Sequence, residues 1–232
     1  MELYNEDCLE GMKRIPDGAV DMIATDPPYF SGMTSSGYQR RLADANLTVP
    51  FWKQCFAEWQ RVLKDGAHIY LCTDWRTYPF MFNLLDGYFI LRNMIVWDYG
   101  WLKGGSFYRF RHELIIFATK GKCKRTFENS NDNCDVWNIR CINYTLPTKL
   151  HQAQKPVELM EKMICNSSAE GDTVLDPFVG SGTTAVACMN LNRHFIGFEI
   201  DERFYDIACK RIADAQALQE QNLFKDVAAC SS

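Results

Sequence analysis

Asp26, Pro27, Pro28 and Tyr29 are the densest piece of chemistry in the chain. A carboxylate, a backbone carbonyl with no competing N–H beside it, and an aromatic ring fall within four residues. Such acceptors suit the N–H groups of a flat base with an exocyclic amine, and the ring offers a stacking surface. The apolar run Ala19-Val20-Asp21-Met22-Ile23-Ala24 ahead of them reads as a buried strand. Two consecutive prolines cannot continue a ladder, so the strand stops there. Asp26 and Tyr29 are thus expected on a stiff turn at the carboxyl end of a strand, where open α/β sheets bind ligands. Taken alone, the tetrapeptide also reads as a plain proline turn with Tyr29 packed into the core.

A second cluster lies near the C-terminus. Asp176-Pro177-Phe178-Val179-Gly180-Ser181-Gly182-Thr183-Thr184 follows a short apolar strand and opens a helix. Glycines there let backbone approach a ligand closely, and a helix N-terminus favours an anionic group. It is not a phosphate-binding P-loop, because the lysine before Thr183 and the required glycine spacing are absent. Glu199 ends the next strand, where an acid can hold ribose hydroxyls. Strand, glycine turn, helix, strand and acid together point to a nucleoside cofactor. A helix-packing glycine pair with a solvated glutamate is the competing reading.

The elements that must position these clusters follow from periodicity. Strands are expected at 2–5, 19–24, 67–72, 88–97, 112–118, 173–175 and 195–198, seven in all. Phe51, Cys55, Phe56, Trp59, Val62 and Leu63 recur at helical spacing, with Gly66 as the expected C-cap. Further helices are expected near 8–15, 78–85, from Pro156 through Ile164, after Gly182 to about Asn190, and from an Asp201 cap to about Gln221. The strands 88–97 and 112–118 have no crossover helix between them, so an antiparallel edge on a parallel sheet is expected. Residues 31–46 read as a loop beside the site.

With 232 residues and net charge −4, the chain is expected to form one domain. Met1 to Glu6 reads as no signal peptide, having neither a basic nor an apolar region, and no apolar run approaches membrane-spanning length. The ten cysteines form no C-x-x-C pair and read as reduced thiols of a cytosolic protein. The overall charge argues against a nucleic-acid partner, but its distribution does not. Residues 101–155 hold ten Lys/Arg against four Asp/Glu, a basic middle on an acidic body. Cys123, Cys134, Cys141 and His151 fit no standard zinc spacing, so no metal is expected.

The two motifs and their order resemble the β group of S-adenosylmethionine-dependent DNA amino-methyltransferases, in which the Asp-Pro-Pro-Tyr block precedes the Phe-x-Gly-x-Gly block. Asn5-Glu6-Asp7-Cys8, Arg61 to Gly66, His112-Glu113, Gln154-Lys155-Pro156, and Glu199-Ile200-Asp201 with Tyr205 and Arg211 extend the likeness over nearly the whole chain. The resemblance implies a Rossmann-like α/β methyltransferase fold with circularly permuted motif order. It divides the chain into a catalytic half (1–119), a small recognition insert (120–150) and a cofactor half (151–232).

It also implies roles. Asp26 and the Pro27 carbonyl would accept from the target amine, Pro28 would stiffen the turn, and Tyr29 would stack on the flipped base. S-adenosylmethionine would meet Asp7, Cys8, Asp26, Phe178, Gly180, Ser181, Gly182, Thr184, Glu199 and Ile200. Asp176 would face its ammonium, with Lys155 and Thr183 near its carboxylate. The leading Asp implies adenine N6 as target, with cytosine N4 as the alternative. DNA would lie on 101–155 and 31–46, and a homodimer would add surface, because the insert is short for the family and implies a short or degenerate recognition sequence. The implied setting is a cytoplasmic, DNA-associated protein of prokaryotic or phage origin, either part of a restriction-modification pair or, as the chain carries no nuclease signature, solitary. A DNA-binding subunit without activity is the reading from another class. RNA or protein-glutamine methylation would place the motifs in the reverse order.

Overall fold

The computed structural model describes residues 1–29, 45–104, 107–123, 134–141 and 154–229. Most of the expected loop 31–46, much of the insert 120–150, and His151 lie outside the described residues.

An eight-stranded sheet runs through the molecule in the order β1-β8-β7-β2-β3-β5-β4-β6. Its strands are β1 (Glu2–Tyr4), β2 (Val20–Thr25), β3 (Leu63–Thr73), β4 (Ile90–Asp98), β5 (His112–Thr119), β6 (Val136–Asn138), β7 (Thr173–Asp176) and β8 (His194–Phe198). Every pairing is parallel except those of β5 with β3 and with β4. Two expectations are therefore corrected. There are eight strands, the added one being β6, three residues of the insert paired to β4 from Val96 to Asp98. The antiparallel strand is interior, because β4 and then β6 continue the sheet beyond it.

Helices α1 (Cys8–Met12), α2 (Ala45–Val62) and α3 (Tyr78–Leu85) cover one face. Helices α4 (Val157–Ser167), α5 (Thr183–Asn190) and α6 (Glu202–Ala229) cover the other. Alternation along β2 explains the division: Met22 and Ala24 enter the α4–α6 core, and Ile23 enters the α1–α3 core. The apolar stripe of α2 buries Trp52, Phe56 and Trp59 completely, each worth about 1.5–3 kcal/mol of transfer free energy.

Gly66 is not a helix cap. Helix α2 passes directly into β3 at Leu63, and Gly66 lies inside that strand with φ +85°. The pairing of β2 shifts there, from Val20–Leu63 to Met22–His68, and only an irregular, glycine-bearing strand accommodates the extra residues. The last helix runs past Gln221 to Ala229, beyond its expected end.

The chain leaves β2 through α2 to β3 on one side, and leaves β7 through α5 to β8 on the other. The strand order therefore reverses between the adjacent parallel strands β2 and β7. In open α/β sheets that crevice, at the carboxyl ends of the strands, is where ligands bind.

Candidate active site

Asp26 and Asp176 stand at the carboxyl ends of the two strands that flank the crevice. Register Ile23–Leu175 brings them side by side, and Thr25 Oγ1 at the end of β2 donates to Asp176 Oδ1 at 2.6 Å.

Asp26 leads the Pro27-Pro28 turn and meets two groups. Tyr29 donates its hydroxyl to Asp26 Oδ1 at 2.6 Å. Lys155 Nζ lies 2.9 Å from Asp26 Oδ2, 2.8 Å from Glu113 Oε2, and donates to Tyr29 OH at 3.0 Å. The three hydrogens of that buried ammonium thus have three oxygens. Glu113 Oε1 accepts from Lys103 at 3.2 Å, and Lys103 stands 3.8 Å over the Tyr99 ring.

Burial pushes the Asp26 carboxyl up, and Glu113 adds to the rise while Lys155 opposes it. Burial also acts to raise Glu113, but Lys155 and Lys103 outweigh it and hold that carboxyl at about 2. Burial works against the Lys155 ammonium, yet Asp26 and Glu113 together raise its pKa. Burial and then Asp26 raise the Tyr29 phenol well above its ordinary value, so it stays a donor at neutral pH. Of the two carboxylates Asp26 is therefore the more basic.

The second cluster surrounds the glycine turn. Asp176 Oδ1 also accepts from the Phe178 backbone at 3.0 Å, and its Oδ2 from Thr184 Oγ1 at 2.6 Å. Burial still brings its carboxyl up to about 6, with the two threonines opposing. Gly180 N donates to Glu199 Oε2 at 2.8 Å, and Asp201 N to Glu199 Oε1 at 2.9 Å. Glu199 is thus fixed on the edge of the turn, its pKa raised by burial. Gly182, the N-cap of α5, has φ +84°. Arg211 Nη1 pins the turn by donating to Ser181 O at 2.6 Å, Ser181 Oγ at 3.0 Å and Thr183 Oγ1 at 3.2 Å.

The remaining candidates fall around this turn. Asp7 caps α1 by accepting from Leu9 N at 2.8 Å. The preceding strand end touches Glu199, since Asn5 Nδ2 donates to its carbonyl at 2.8 Å. The half-buried Phe178 ring packs 5.5 Å from Trp52, and Ile200 is exposed beside Glu199. Cys8 is buried in the α1–α3 core with its thiol toward Cys55. Lys155 touches Thr183 only through its backbone carbonyl, at 3.3 Å, while its ammonium lies in the Asp26 cluster. Among the described residues no His/Cys/Asp/Glu group could hold a metal, and Cys123, Cys134 and Cys141 are free thiols.

A nucleoside cofactor fits this arrangement. A Cβ built at Gly180 would meet nothing within 4 Å, which leaves an open cradle between Glu199 and Asp176. Glu199 and Asp7 offer acceptors for ribose and an exocyclic amine, Phe178 and Ile200 offer apolar surface, and Asp176 offers a carboxylate for an ammonium.

Glu113, Lys103 and Arg211 carry more of the site than the sequence reading gave them. Glu113 had a visible signal: it is a carboxylate at the head of a run, Leu114 to Ala118, that is otherwise wholly apolar. A charge leading a buried strand needs a partner.

A permuted Rossmann-like sheet with carboxylates on both sides of its switch point and a glycine cradle between them defines a methyltransferase of the Rossmann-like class. The chain belongs to the DNA methylase family of N6 and N4 amino-methyltransferases, whose family model matches residues 20–210. It is 32% identical to the type II methyltransferase M.HpaI of Haemophilus parainfluenzae over 90% of this chain and 73% of that protein. It is 27% identical to the DNA adenine methyltransferase YhdJ of Escherichia coli K12, over 96% of this chain and 86% of that one. Among solved structures, M1.HpyAVI in complex with SAM superposes with a TM-score of 0.67 at 26% identity, covering 90% of this chain and 98% of that one. The cytosine-N4-specific PvuII methyltransferase shares the fold, with a TM-score of 0.75 at 16% identity over 92% of this chain and 90% of that one.

Proposed function

We propose that this chain transfers the methyl group of S-adenosylmethionine to the N6 amine of adenine in DNA. The observation that carries the reading is the placement of the Asp26 turn beside the Gly180 cradle across one switch point. The named adenine methyltransferase among its relatives supports the choice of base.

When bound, S-adenosylmethionine would supply a methyl group already activated by a sulfonium and remain as S-adenosylhomocysteine, with the surplus amine proton lost to solvent, so no covalent enzyme intermediate is needed. Glu199 would hold the ribose, Asp7 the adenine amine, Phe178 and Ile200 the ring faces, and Asp176 the ammonium. Ser181, Gly182, Thr183 and Thr184 shape the turn around it. The target base must leave the stack, which costs a few kcal/mol. Asp26 and the Pro27 carbonyl then accept from its amine, drawing the nitrogen toward sp³ and aiming its lone pair. Pro28 holds the turn stiff and Tyr29 supplies the stacking face. To do so, Tyr29 gives up its hydroxyl contact to Asp26 in favour of the incoming amine. Positioning and electrostatics carry the acceleration.

The finer parts of the reading follow the chain. Residues 1–119 form the catalytic half, 120–150 a recognition insert and 151–232 the cofactor half. Exposed cations of the basic stretch 101–155, and the segment 31–46, whose last two residues open α2, meet DNA, and a homodimer enlarges that surface. Net positive charge in 101–155 supports this. Among the described residues no helix is long and apolar enough to cross a membrane.

The test is a nucleoside digest. Unmethylated duplex DNA is incubated with S-adenosylmethionine and either the wild-type chain or Asp26→Ala, hydrolysed and read by mass spectrometry. N6-methyldeoxyadenosine with the wild type, reduced at least about a hundredfold in the variant while cofactor binding persists, is the expected result. N4-methyldeoxycytidine would overturn the base assignment and keep the mechanism. Cofactor binding without any methylated nucleoside would favour the subunit without activity.

A further inference from the structure

We propose that the tip of the β4–β5 hairpin, carrying Phe107 and Tyr108, is a stacking wedge that enters the DNA beside the extruded base. The proposal rests on the reading of DNA as substrate.

Backbone bonds continue the hairpin beyond the sheet. Tyr99 N donates to Arg111 O at 3.2 Å, Lys103 N to Phe110 O at 2.7 Å, and Phe110 N to Gly104 O at 3.3 Å. Phe107 and Tyr108 follow at the tip, 98% and 91% exposed, and belong to neither core. Single exposed aromatics are ordinary on a soluble protein. Two in succession at the end of a bonded stem, both kept in water, need a partner to cover them.

The stem is tied to the site. Register Thr73–Leu114 sets the base of the hairpin on the carboxyl edge of the sheet, the edge that carries Asp26. Lys103 of the stem reaches Glu113, Glu113 reaches Lys155, and Lys155 reaches Asp26, at 3.2, 2.8 and 2.9 Å. Arg76, just past β3, lies 4.8 Å over Trp75 and 5.8 Å over Phe110, so a cationic aromatic stack flanks the stem.

Charge favours nucleic acid as the occupant. Residues 99–111 contain Lys103, Arg109 and Arg111; Glu113 pairs with Lys103 and Asp98 with Arg111 at the foot of the stem, while Arg109 donates to the Leu102 carbonyl near the tip. A second copy on a two-fold axis would set Arg109 against its own counterpart. DNA offers phosphates to the cations and base faces to the rings. Base extrusion leaves a gap in the stack, and an inserted aromatic ring fills such a gap.

The test uses the full chain. The methylated sequence is first mapped in DNA from cells expressing the wild-type protein. Two duplexes containing it are then made, one intact and one with an abasic site opposite the target base. Phe107→Ala/Tyr108→Ala is compared with wild type for methyl-transfer rate and DNA affinity, with melting temperature and cofactor affinity as controls. The expected result is a loss of about tenfold on the intact duplex and a loss several times smaller on the abasic one, where extrusion no longer competes with pairing. Equal losses on both duplexes would reduce the tip to a general surface contact and overturn the wedge. No loss on either would overturn it too, as would a wild-type dimer that the variant dissociates. A wild-type chain that binds cofactor yet methylates no DNA would instead remove the reading beneath the wedge, and the wedge with it.

Discussion

Lys155 and Asp26 form a buried ion pair, Nζ to Oδ2 2.9 Å, and the same ammonium holds Glu113 at 2.8 Å. One cation therefore pairs with two carboxylates, one just past the end of β2 and one in β5, at the place where an amine is to be received. Removing one partner of such a group leaves the others charged and unpaired.

Lys155→Met is accordingly expected to destabilise the chain by about 3 kcal/mol, read as a lowered denaturation midpoint. It also leaves Asp26 facing Glu113 with no cation between them. The Asp26 carboxyl then rises further, and the acidic limb of the pH–rate profile moves to higher pH. An unmoved limb would show that Asp26 is not the group that must ionise.

Glu113→Gln is expected to move that limb the other way, since the like charge raising Asp26 is gone and Lys155 serves Asp26 alone. Its effect on stability has its own pH window. Glu113 is held at about 2, below its ordinary value, so its contribution is full above pH ~4.5 and fades as pH falls toward 2. Urea midpoints of wild type and variant should thus converge across that interval. Parallel curves would count against the ion pair.

Asp176 behaves with the opposite sign. Its carboxyl is brought up to about 6 by burial, so the folded chain favours its protonated form. Its contribution to stability is full below pH ~4 and lost as pH rises through 6. An ammonium in the cradle would need the ionised form, so cofactor affinity should fall as pH drops below 6. Asp176→Asn should flatten this dependence and weaken binding about tenfold at neutral pH, by calorimetry.

The two motif glycines should separate. A Cβ at Gly182 would lie 3.0 Å from Ala208 Cβ and 3.1 Å from its Cα, with φ +84° already unfavourable. Gly182→Ala is expected to cost about 2–3 kcal/mol in stability. Gly180 has φ +54° and open space, so Gly180→Ala should cost only about 1 kcal/mol in stability while impairing cofactor binding. Equal melting temperatures for the two variants would contradict this division.

Much of the fold was legible because it rests on neighbours in the chain. The prolines at 27 and 28 end β2 where expected, and the Asp176 to Thr184 turn lies between a strand and a helix as read. Gly66 was misplaced because its positive φ serves a strand irregularity as readily as a helix end. Strand β6 was missed because three residues have no periodicity of their own and gain order only from the exposed side of β4.

Sterics and apolar spacing act over a few residues, so local sequence sets the two chemical turns, the helices and most of the strands. Which charges meet is a matter of the folded sheet. Glu113 and Lys155 lie far along the chain from Asp26, and nothing in local propensity links them. They come together because β5 runs antiparallel beside β3, which returns its first residues to the edge where β2 ends. Burial at that edge then makes each charge depend on the others.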